Sequence, residues 1–121
     1  MMPGDARRIV EEFARRRGIK LVEKGGALVL YPAEAPVYIE VRGTSRGVLV
    51  RLGHESIRDY VREVLDTEEN PRQVIEDLVD DTSALAFELY EELRRHGIEA
   101  RLDTRTAAMD ILGELEEAEE E

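Results

Sequence analysis

Three aspartates in the second half of the chain are the first candidates for chemistry. Asp77, Asp80 and Asp81 stand in the segment EDLVDD, and spacings of three and four residues would place their carboxylates on one face of a helix. Carboxylate oxygens bind hard cations such as Mg²⁺, often through water. No phosphate-binding glycine loop and no second carboxylate motif accompanies them. The cluster is therefore a weak candidate for a metal site, and a solvated helix face is the simpler explanation.

His54, in the segment GHES, is the other residue that suggests catalysis. Glu55 or Ser56 beside it would fit acid–base or hydroxyl chemistry, but neighbours in a turn rarely face one another productively, and no nucleophile, base and orienting group can be assembled. Cysteine is absent and histidine occurs twice, which excludes a thiolate nucleophile, a disulfide framework and a cysteine zinc site. The residues favour a non-enzymatic function without a cofactor, and a metal-dependent enzyme is the alternative.

Length and composition are those of one globular domain. The 121 residues are 42% hydrophobic and 37% charged, which suits a chain with a single core. Apolar runs are far too short for a membrane span, and the N-terminal MMPGDARR lacks the apolar stretch of a signal peptide. We expect a single cytoplasmic domain over residues 1–121 with no membrane partner. Scarce amides, no cysteine and many Glu and Arg residues also favour a thermophilic source.

The net charge of −11 is unevenly distributed along the chain. Residues 1–60 hold 11 Lys/Arg and 8 Asp/Glu, a net +3, whereas residues 61–121 hold 6 and 20, a net −14. A field of this overall sign opposes nonspecific binding to nucleic acid or to an anionic membrane. A local basic surface on the first half is still compatible with it.

Hydrophobic periodicity predicts an α+β fold: an N-terminal helix, a four-stranded antiparallel meander, and then helices with one short additional strand. Asp5 is the expected cap of the first helix, and Asn70 followed by Pro71 is typical of a helix start. The predicted helices cover 6–17, a segment that begins near Ser56, 71–96 and a segment that begins near Thr104; the predicted strands are 19–24, 27–31, 37–42, 48–52 and 98–102.

Several features concern the ends of these helices. The similar phrases RRRGI and RRHGI place Gly18 and Gly97 where helices must stop, because glycine adopts the left-handed conformation at little cost. Helix termination is therefore favoured over a cationic binding patch or a degenerate repeat. The polar run Asp80–Ser83 leaves open a break in the helix 71–96 near Asp81. The acidic end, about 117–121, places carboxylates at the negative end of a helix dipole and is predicted to fray.

The turns of the meander set the register of its strands. Gly25–Gly26 suits a two-residue hairpin, which places Leu21 opposite Leu30. A four-residue loop at 43–46 would make Tyr38 and Arg51 cross-strand neighbours.

With this register, the side chains of the meander divide into two faces. One face is aliphatic and needs a helical cover, while the other, which we call the mixed face, interleaves apolar, tyrosyl and cationic side chains. The mixed face consists of Lys20, Val22, Lys24, Val29, Tyr31, Tyr38, Glu40, Arg42, Leu49 and Arg51.

Three interpretations of the mixed face remain open. A helix of the same chain could cover it, since a sheet buries whatever apolar face it has. Another protein could bind it, most simply a second copy across a two-fold axis. Single-stranded nucleic acid could stack on Tyr31 and Tyr38 with Lys20, Arg42 and Arg51 on phosphates. The sequence predicts a partner-binding surface on this face. Its predicted binding residues are Lys20, Val22, Val29, Tyr31, Tyr38, Arg42, Leu49 and Arg51.

Overall fold

A computed structural model describes residues 2–121 and shows the predicted α+β order of elements. The helices are α1 (Gly4–Arg17), α2 (Ile57–Thr67), α3 (Pro71–Arg95) and α4 (Arg105–Glu119). The strands are β1 (Lys20–Lys24), β2 (Ala27–Tyr31), β3 (Val37–Gly43), β4 (Val48–His54) and β5 (Ala100–Asp103).

One sheet with the strand order β1-β2-β3-β4-β5 organises the molecule. The first four strands form the predicted antiparallel meander, and β5 adds to β4 in parallel. The two-residue turn at Gly25–Gly26 gives the predicted register, with Leu21 opposite Leu30. A parallel neighbour needs a long crossover connection, and here α2 and α3 supply it between β4 and β5.

The hydrophobic core lies on one side of this sheet. Phe13 of α1, Val61 of α2, Leu89 of α3 and Ile111 of α4 belong to one cluster of buried residues that also contains Ile39 of β3. The sheet side chains of that cluster are the aliphatic ones predicted to face the helices: Leu28, Leu30, Val37, Ile39, Val41, Val48, Val50 and Leu52. Within the described chain, none of these helices combines the length and the apolarity that a membrane span requires.

The two Arg-Gly-Ile-like phrases are helix ends, as predicted. Gly18 and Gly97 are left-handed, with φ of 64° and 79°. Ile19 then donates its N–H to the Ala14 carbonyl at 2.9 Å, and the equivalent bond after Gly97 measures 3.1 Å. These bonds satisfy carbonyls that the last helical turn would otherwise leave free.

Arginines before these glycines form ion pairs with carboxylates of α3. Arg16 and Arg95 both pair with Glu92, at 2.9 and 3.2 Å, and Arg17 lies 3.8 Å from Glu88. The hydrogen bond from Arg16, together with both positive charges, outweighs partial burial and lowers the pKa of Glu92. The clusters therefore join α1 to α3, which supports their structural interpretation.

The predicted Asp5 cap is wrong. Helix α1 begins at Gly4, and Pro3 occupies the cap position without a side-chain cap bond. The Pro3 carbonyl accepts the Arg7 N–H at 3.2 Å. Asp5 lies in the first turn instead, where a negative charge still interacts favourably with the helix dipole and where Arg8 approaches it at 3.4 Å.

Helix α3 is continuous through Asp80–Ser83. Thr82 is buried, and its hydroxyl donates to the Leu78 carbonyl at 2.7 Å. A hydroxyl bonded four residues back is satisfied inside the helix and does not compete with it. Asp80 and Asp81, which lie within this turn, face water and impose no break.

The loop between β3 and β4 is displaced by one residue from the prediction, to Thr44–Gly47. Gly43 continues β3 opposite Val48, so the register shifts by two residues and Tyr38 pairs with Gly53 instead of Arg51. Gly47 is required at the loop's end because a Cβ there would overlap the backbone carbonyl of Glu99. A shift of two residues keeps every side chain on its predicted face.

Strand β5 begins two residues later than predicted. Ile98 belongs to the C-terminal cap of α3, because its N–H donates a hydrogen bond to the Leu93 carbonyl. Extended pairing starts only at Ala100, opposite Val48.

The acidic C-terminal end forms ion pairs with α2 and α3. Arg72 at the beginning of α3 lies 2.6 Å from Glu119, and Arg62 of α2 lies 3.0 Å from Glu121. These ion pairs are exposed, and such pairs contribute little to stability when isolated. Fraying of residues 117–121 stays a prediction.

Replacing Gly47 with alanine should destabilise the fold. The new methyl group would push the loop away from Glu99, whose carbonyl also accepts the Val48 N–H at 2.9 Å. We expect the free energy of unfolding, from urea denaturation followed by circular dichroism, to fall by about 1–3 kcal/mol.

Gly113→Ala is the matched control, because Gly113 lies inside α4 with open space around it. It should raise the free energy of unfolding by about 0.5–1 kcal/mol through helix propensity. Equal effects of the two substitutions would contradict the close approach at Gly47.

Candidate functional site

No helix of residues 2–121 covers the mixed face. Its apolar and tyrosyl members, Val22, Val29, Tyr31, Tyr38 and Leu49, are absent from the core cluster and from the residues packed against it. Helix α4, at the C-terminal end, places Ala107, Ile111 and Leu115 in the core on the opposite side of the sheet. The interpretation of an intrachain cover is therefore wrong, because all four helices are needed over the aliphatic face.

A carboxylate held by two guanidinium groups occupies the centre of the mixed face. Glu40 on β3 stands directly opposite Arg51 on β4, and Arg51 Nε donates to Glu40 Oε1 at 2.6 Å. Arg42, two residues along β3 and therefore on the same face, donates to Glu40 Oε2 at 3.3 Å. Glu40 is only 6% exposed although no helix lies above it. The arginine stems and the neighbouring strands provide that burial.

Electrostatics favour the charged form of this group. Burial raises the pKa of Glu40, but the hydrogen bonds and positive charges of Arg51 and Arg42 outweigh it, so the pKa lies below its ordinary value. The hydrogen bond to Glu40 in turn raises the pKa of Arg51. Hydrogen bonds between ionised partners are among the stronger ones in proteins. The centre of the mixed face is therefore an ion cluster in which the one carboxylate of Glu40 is shared by two guanidinium groups.

An aromatic pair lies beside this cluster. The rings of Tyr31 and Tyr38 are 5.6 Å apart and tilted by 58°, within the range of favourable aromatic geometry. Lys20 Nζ lies 5.6 Å from the centre of the Tyr31 ring. Gly53 makes room for Tyr38, since a Cβ at that position would overlap its ring. Burial, together with the charge of Glu40, raises the pKa of Tyr38, although the charge of Arg51 opposes it.

Glu55, just after β4, also reaches the mixed face. The Tyr31 hydroxyl donates to Glu55 Oε1 at 3.2 Å, and Lys24 Nζ approaches Glu55 Oε2 at 3.5 Å. The charge of Glu55 is the largest contribution that raises the pKa of Lys24. In the sequence, Glu55 is notable only as a neighbour of His54, because the sequence of a turn does not show the direction in which a side chain extends.

Strand β5 extends the mixed face by two residues that the sequence did not assign to it. Arg101 pairs in register with Leu49, and Asp103 pairs with Arg51. Their alternation with the inward-facing Ala100 and Leu102 is visible in the sequence. Their place in the sheet was not predictable, because a short strand after two helices can join either edge.

The predicted partner-binding residues all lie on this one face, but they differ in access. Val29 is 2% exposed and is buried among its neighbours, so it supports the surface without offering contact area. Tyr31, Tyr38, Leu49 and Arg51 are half-buried. On the edge strand β1, Lys20 is exposed and Val22 is half-buried. Arg42, beside Glu40, is exposed.

The catalytic and metal candidates lie elsewhere. Asp77, Asp80 and Asp81 are exposed on α3, and Gln73 donates to Asp77 at 2.8 Å. Within residues 2–121, no group of three or more His, Cys, Asp or Glu side chains is arranged to hold a metal ion. His54 points to the helical side of the sheet, where its Nε2 lies 3.3 Å from Asp110 Oδ2 of α4.

Comparison with protein-family models, with curated protein sequences and with solved structures finds no match for this chain.

Glu40→Gln should remove the charge pairing at the centre of the mixed face. We expect the free energy of unfolding near neutral pH to fall by about 1–2 kcal/mol, since hydrogen bonds between charged partners are lost. Glu34→Gln is the control, because Glu34 is exposed in the turn between β2 and β3, and it should change stability little.

The pH dependence should follow the lowered pKa of Glu40. A carboxylate with a lower pKa in the folded state stabilises the fold above its ordinary pKa of about 4.3, and that contribution is lost as the pH falls through the folded value. The stability difference between the wild-type chain and Glu40→Gln should therefore shrink as the pH drops below that range. A difference that is constant with pH would contradict the role of the charge.

Proposed function

We propose that this chain is a non-enzymatic interaction module that associates with a second copy through the mixed face of its sheet. The main support is that the helices cover only one side of the sheet. Four helices pack on the aliphatic face, and no helix of residues 2–121 packs on the mixed face. Tyrosine and arginine are the types that most often anchor protein interfaces. Tyr31, Tyr38, Arg42 and Arg51 lie together on this face, with Leu49 beside them.

Association through this face would cost little in desolvation. Glu40 is already buried with both carboxylate oxygens bonded to arginine, and the Tyr31 hydroxyl already donates to Glu55. Among residues 2–121, no buried side-chain nitrogen or oxygen lacks a hydrogen-bond partner. A polar group that is satisfied within its own chain need not find a partner across the interface, and so its burial carries a smaller penalty.

The charge distribution supports a second copy as the partner and this face as the contact. The net −11 arises from residues 61–121, which form α3, α4 and most of α2. Contact through those helices would bring two strongly acidic surfaces together, which is unfavourable. On the mixed face, carboxylates and cations are interleaved: Glu40, Glu55 and Asp103 offset most of the charge of Lys20, Lys24, Arg42, Arg51 and Arg101. A two-fold axis through this face would keep the acidic helices of the two copies on opposite outer sides.

Single-stranded nucleic acid is less well supported by the contacts. The Tyr31–Tyr38 pair would offer a stacking surface, as in proteins that bind single strands. The two guanidinium groups that would bind phosphates, on Arg42 and Arg51, are however engaged by Glu40. They would have to exchange a buried carboxylate for a phosphate.

Leu49→Arg should abolish self-association and leave the monomer folded, because Leu49 lies outside the core cluster. Leu49 stands in register between Arg42 and Arg101, so a third guanidinium group there would be an unpaired charge. We expect the wild-type chain to have a dimer mass by analytical ultracentrifugation at about 100 μM and Leu49→Arg to have a monomer mass, since a buried unpaired charge costs several kcal/mol. Met109→Arg is the matched control: Met109 is 67% exposed on α4, so this substitution should leave the dimer mass unchanged.

Tyr38→Ala tests the same surface without adding charge. It should weaken dimerisation by about 2 kcal/mol, or roughly thirtyfold in dissociation constant. A monomeric wild-type chain would refute the proposal. Tight, salt-sensitive binding of a single-stranded oligonucleotide that Tyr38→Ala weakens would favour the nucleic-acid function instead.

A further inference from the structure

Two arginines at one corner of the sheet are left without a carboxylate partner in a strongly acidic chain. Most arginines of the chain form ion pairs, for example Arg7, Arg58 and Arg72. Within residues 2–121, neither Arg46 in the β3–β4 loop nor Arg101 in β5 has a carboxylate within ion-pair distance, and neither donates a side-chain hydrogen bond. Acidic residues outnumber basic ones by 28 to 17, so a shortage of carboxylates is not the reason.

Both guanidinium-bearing residues line one small cleft between the β3–β4 loop and the start of β5. The cleft has a volume of about 140 Å³. Its lining residues are Thr44, Ser45, Arg46, Gly47, Val48, Glu99 and Arg101. The packing of Gly47 against the Glu99 carbonyl and the hydrogen bond from Val48 N–H to that oxygen, at 2.9 Å, hold the two walls together. The cleft is therefore fixed by the backbone.

Further donors surround this cleft. The loop is closed by the bond from Thr44 N–H to the Gly47 carbonyl, at 2.9 Å. The N–H groups of Ser45 and Arg46, at the tip of the loop, make no backbone hydrogen bond to any residue from 2 to 121. Thr44 Oγ1 accepts the Gly47 N–H at 3.1 Å, which leaves its own hydroxyl hydrogen free to donate. Turns with free N–H groups beside cationic side chains are sites where proteins bind anions.

We propose that this cleft binds a phosphoryl-type oxyanion, held by the guanidinium groups of Arg46 and Arg101 and by hydroxyl and N–H donors of the loop Thr44–Gly47. Guanidinium groups bind phosphate oxygens through paired, charge-assisted hydrogen bonds. Two positive charges with several neutral donors match a tetrahedral anion that presents several acceptor oxygens. The site does not depend on self-association.

Glu99 is the one carboxylate in the lining and opposes an anion there. Its backbone carbonyl is fixed by Val48, but its side chain is exposed and forms no ion pair with either arginine. The side chain is free to turn into solvent when an anion enters, and the two guanidinium charges outnumber it. Removing it should therefore strengthen anion binding.

The test is a titration of the full-length chain with inorganic phosphate, followed by ¹H–¹⁵N NMR, against sodium chloride at matched ionic strength. The N–H signals of Ser45 and Arg46 should shift with phosphate and not with chloride. Arg46→Gln and Arg101→Gln should each weaken phosphate binding by about tenfold, as expected for the loss of a charge-assisted contact. Glu99→Gln should strengthen it.

Arg105→Gln is the matched control, because Arg105 is also exposed and without an ion pair, but lies at the start of α4 outside this cleft. Its phosphate affinity should equal that of the wild-type chain. A parallel titration with adenosine monophosphate distinguishes the source of the phosphoryl group: equal affinity indicates free phosphate, and tighter binding with added shifts at Leu49 indicates a phosphate ester.

Absence of phosphate-specific shifts at Ser45 and Arg46 up to about 10 mM, a range that includes weak binding, would overturn the proposal. Unchanged phosphate affinity in both Arg46→Gln and Arg101→Gln would overturn it as well. Because both side chains are exposed, neither substitution removes a core contact, and each variant's far-UV circular dichroism should match that of the wild-type chain.

Discussion

The buried carboxylate of Glu40 is the interaction on which the mixed face depends. A charged group on a sheet loses much of its hydration when neighbouring strands enclose it, and it must then be compensated by charge and hydrogen bonds. Arg51 and Arg42 supply both. Without Glu40, two guanidinium groups would stand side by side among valine and tyrosine side chains and repel one another. Its presence offsets part of their charge and holds the two side chains in place by hydrogen bonds.

The one-sided placement of the helices explains why such a cluster is needed. A sheet of this size has two faces, and four helices on one of them leave the other to be stabilised by its own side chains. Three sets of contacts stabilise this face: the Tyr31–Tyr38 aromatic pair, the Glu40 cluster, and Glu55, which accepts a hydrogen bond from the Tyr31 hydroxyl. These contacts run across four strands. They stabilise the sheet and at the same time define the surface that the sheet presents.

Local patterns in the sequence were sufficient for much of this architecture. The paired glycines at 25–26 fix the first hairpin, and alternation along the meander assigns each residue to a face. The register of β3 with β4 was not predictable in the same way, because a slip of two residues preserves the alternation. The deciding contact is between Gly47 and the Glu99 carbonyl, which is distant in sequence and depends on where β5 lies. Arg101 and Asp103 were missed for the same reason.

That slip of two residues changes the chemistry of the face. With Tyr38 opposite Arg51, the centre would have been an aromatic group beside a free cation, a combination suited to phosphate and base stacking. In the actual register Arg51 is opposite Glu40 and Tyr38 is opposite Gly53, whose missing side chain leaves space for the tyrosine ring. Cationic character is thereby removed from the centre and retained at the corner, where Arg46 and Arg101 have no acidic partner. The proposed contact with protein at the centre and the proposed binding of an anion at the corner therefore rest on different groups of residues of one sheet.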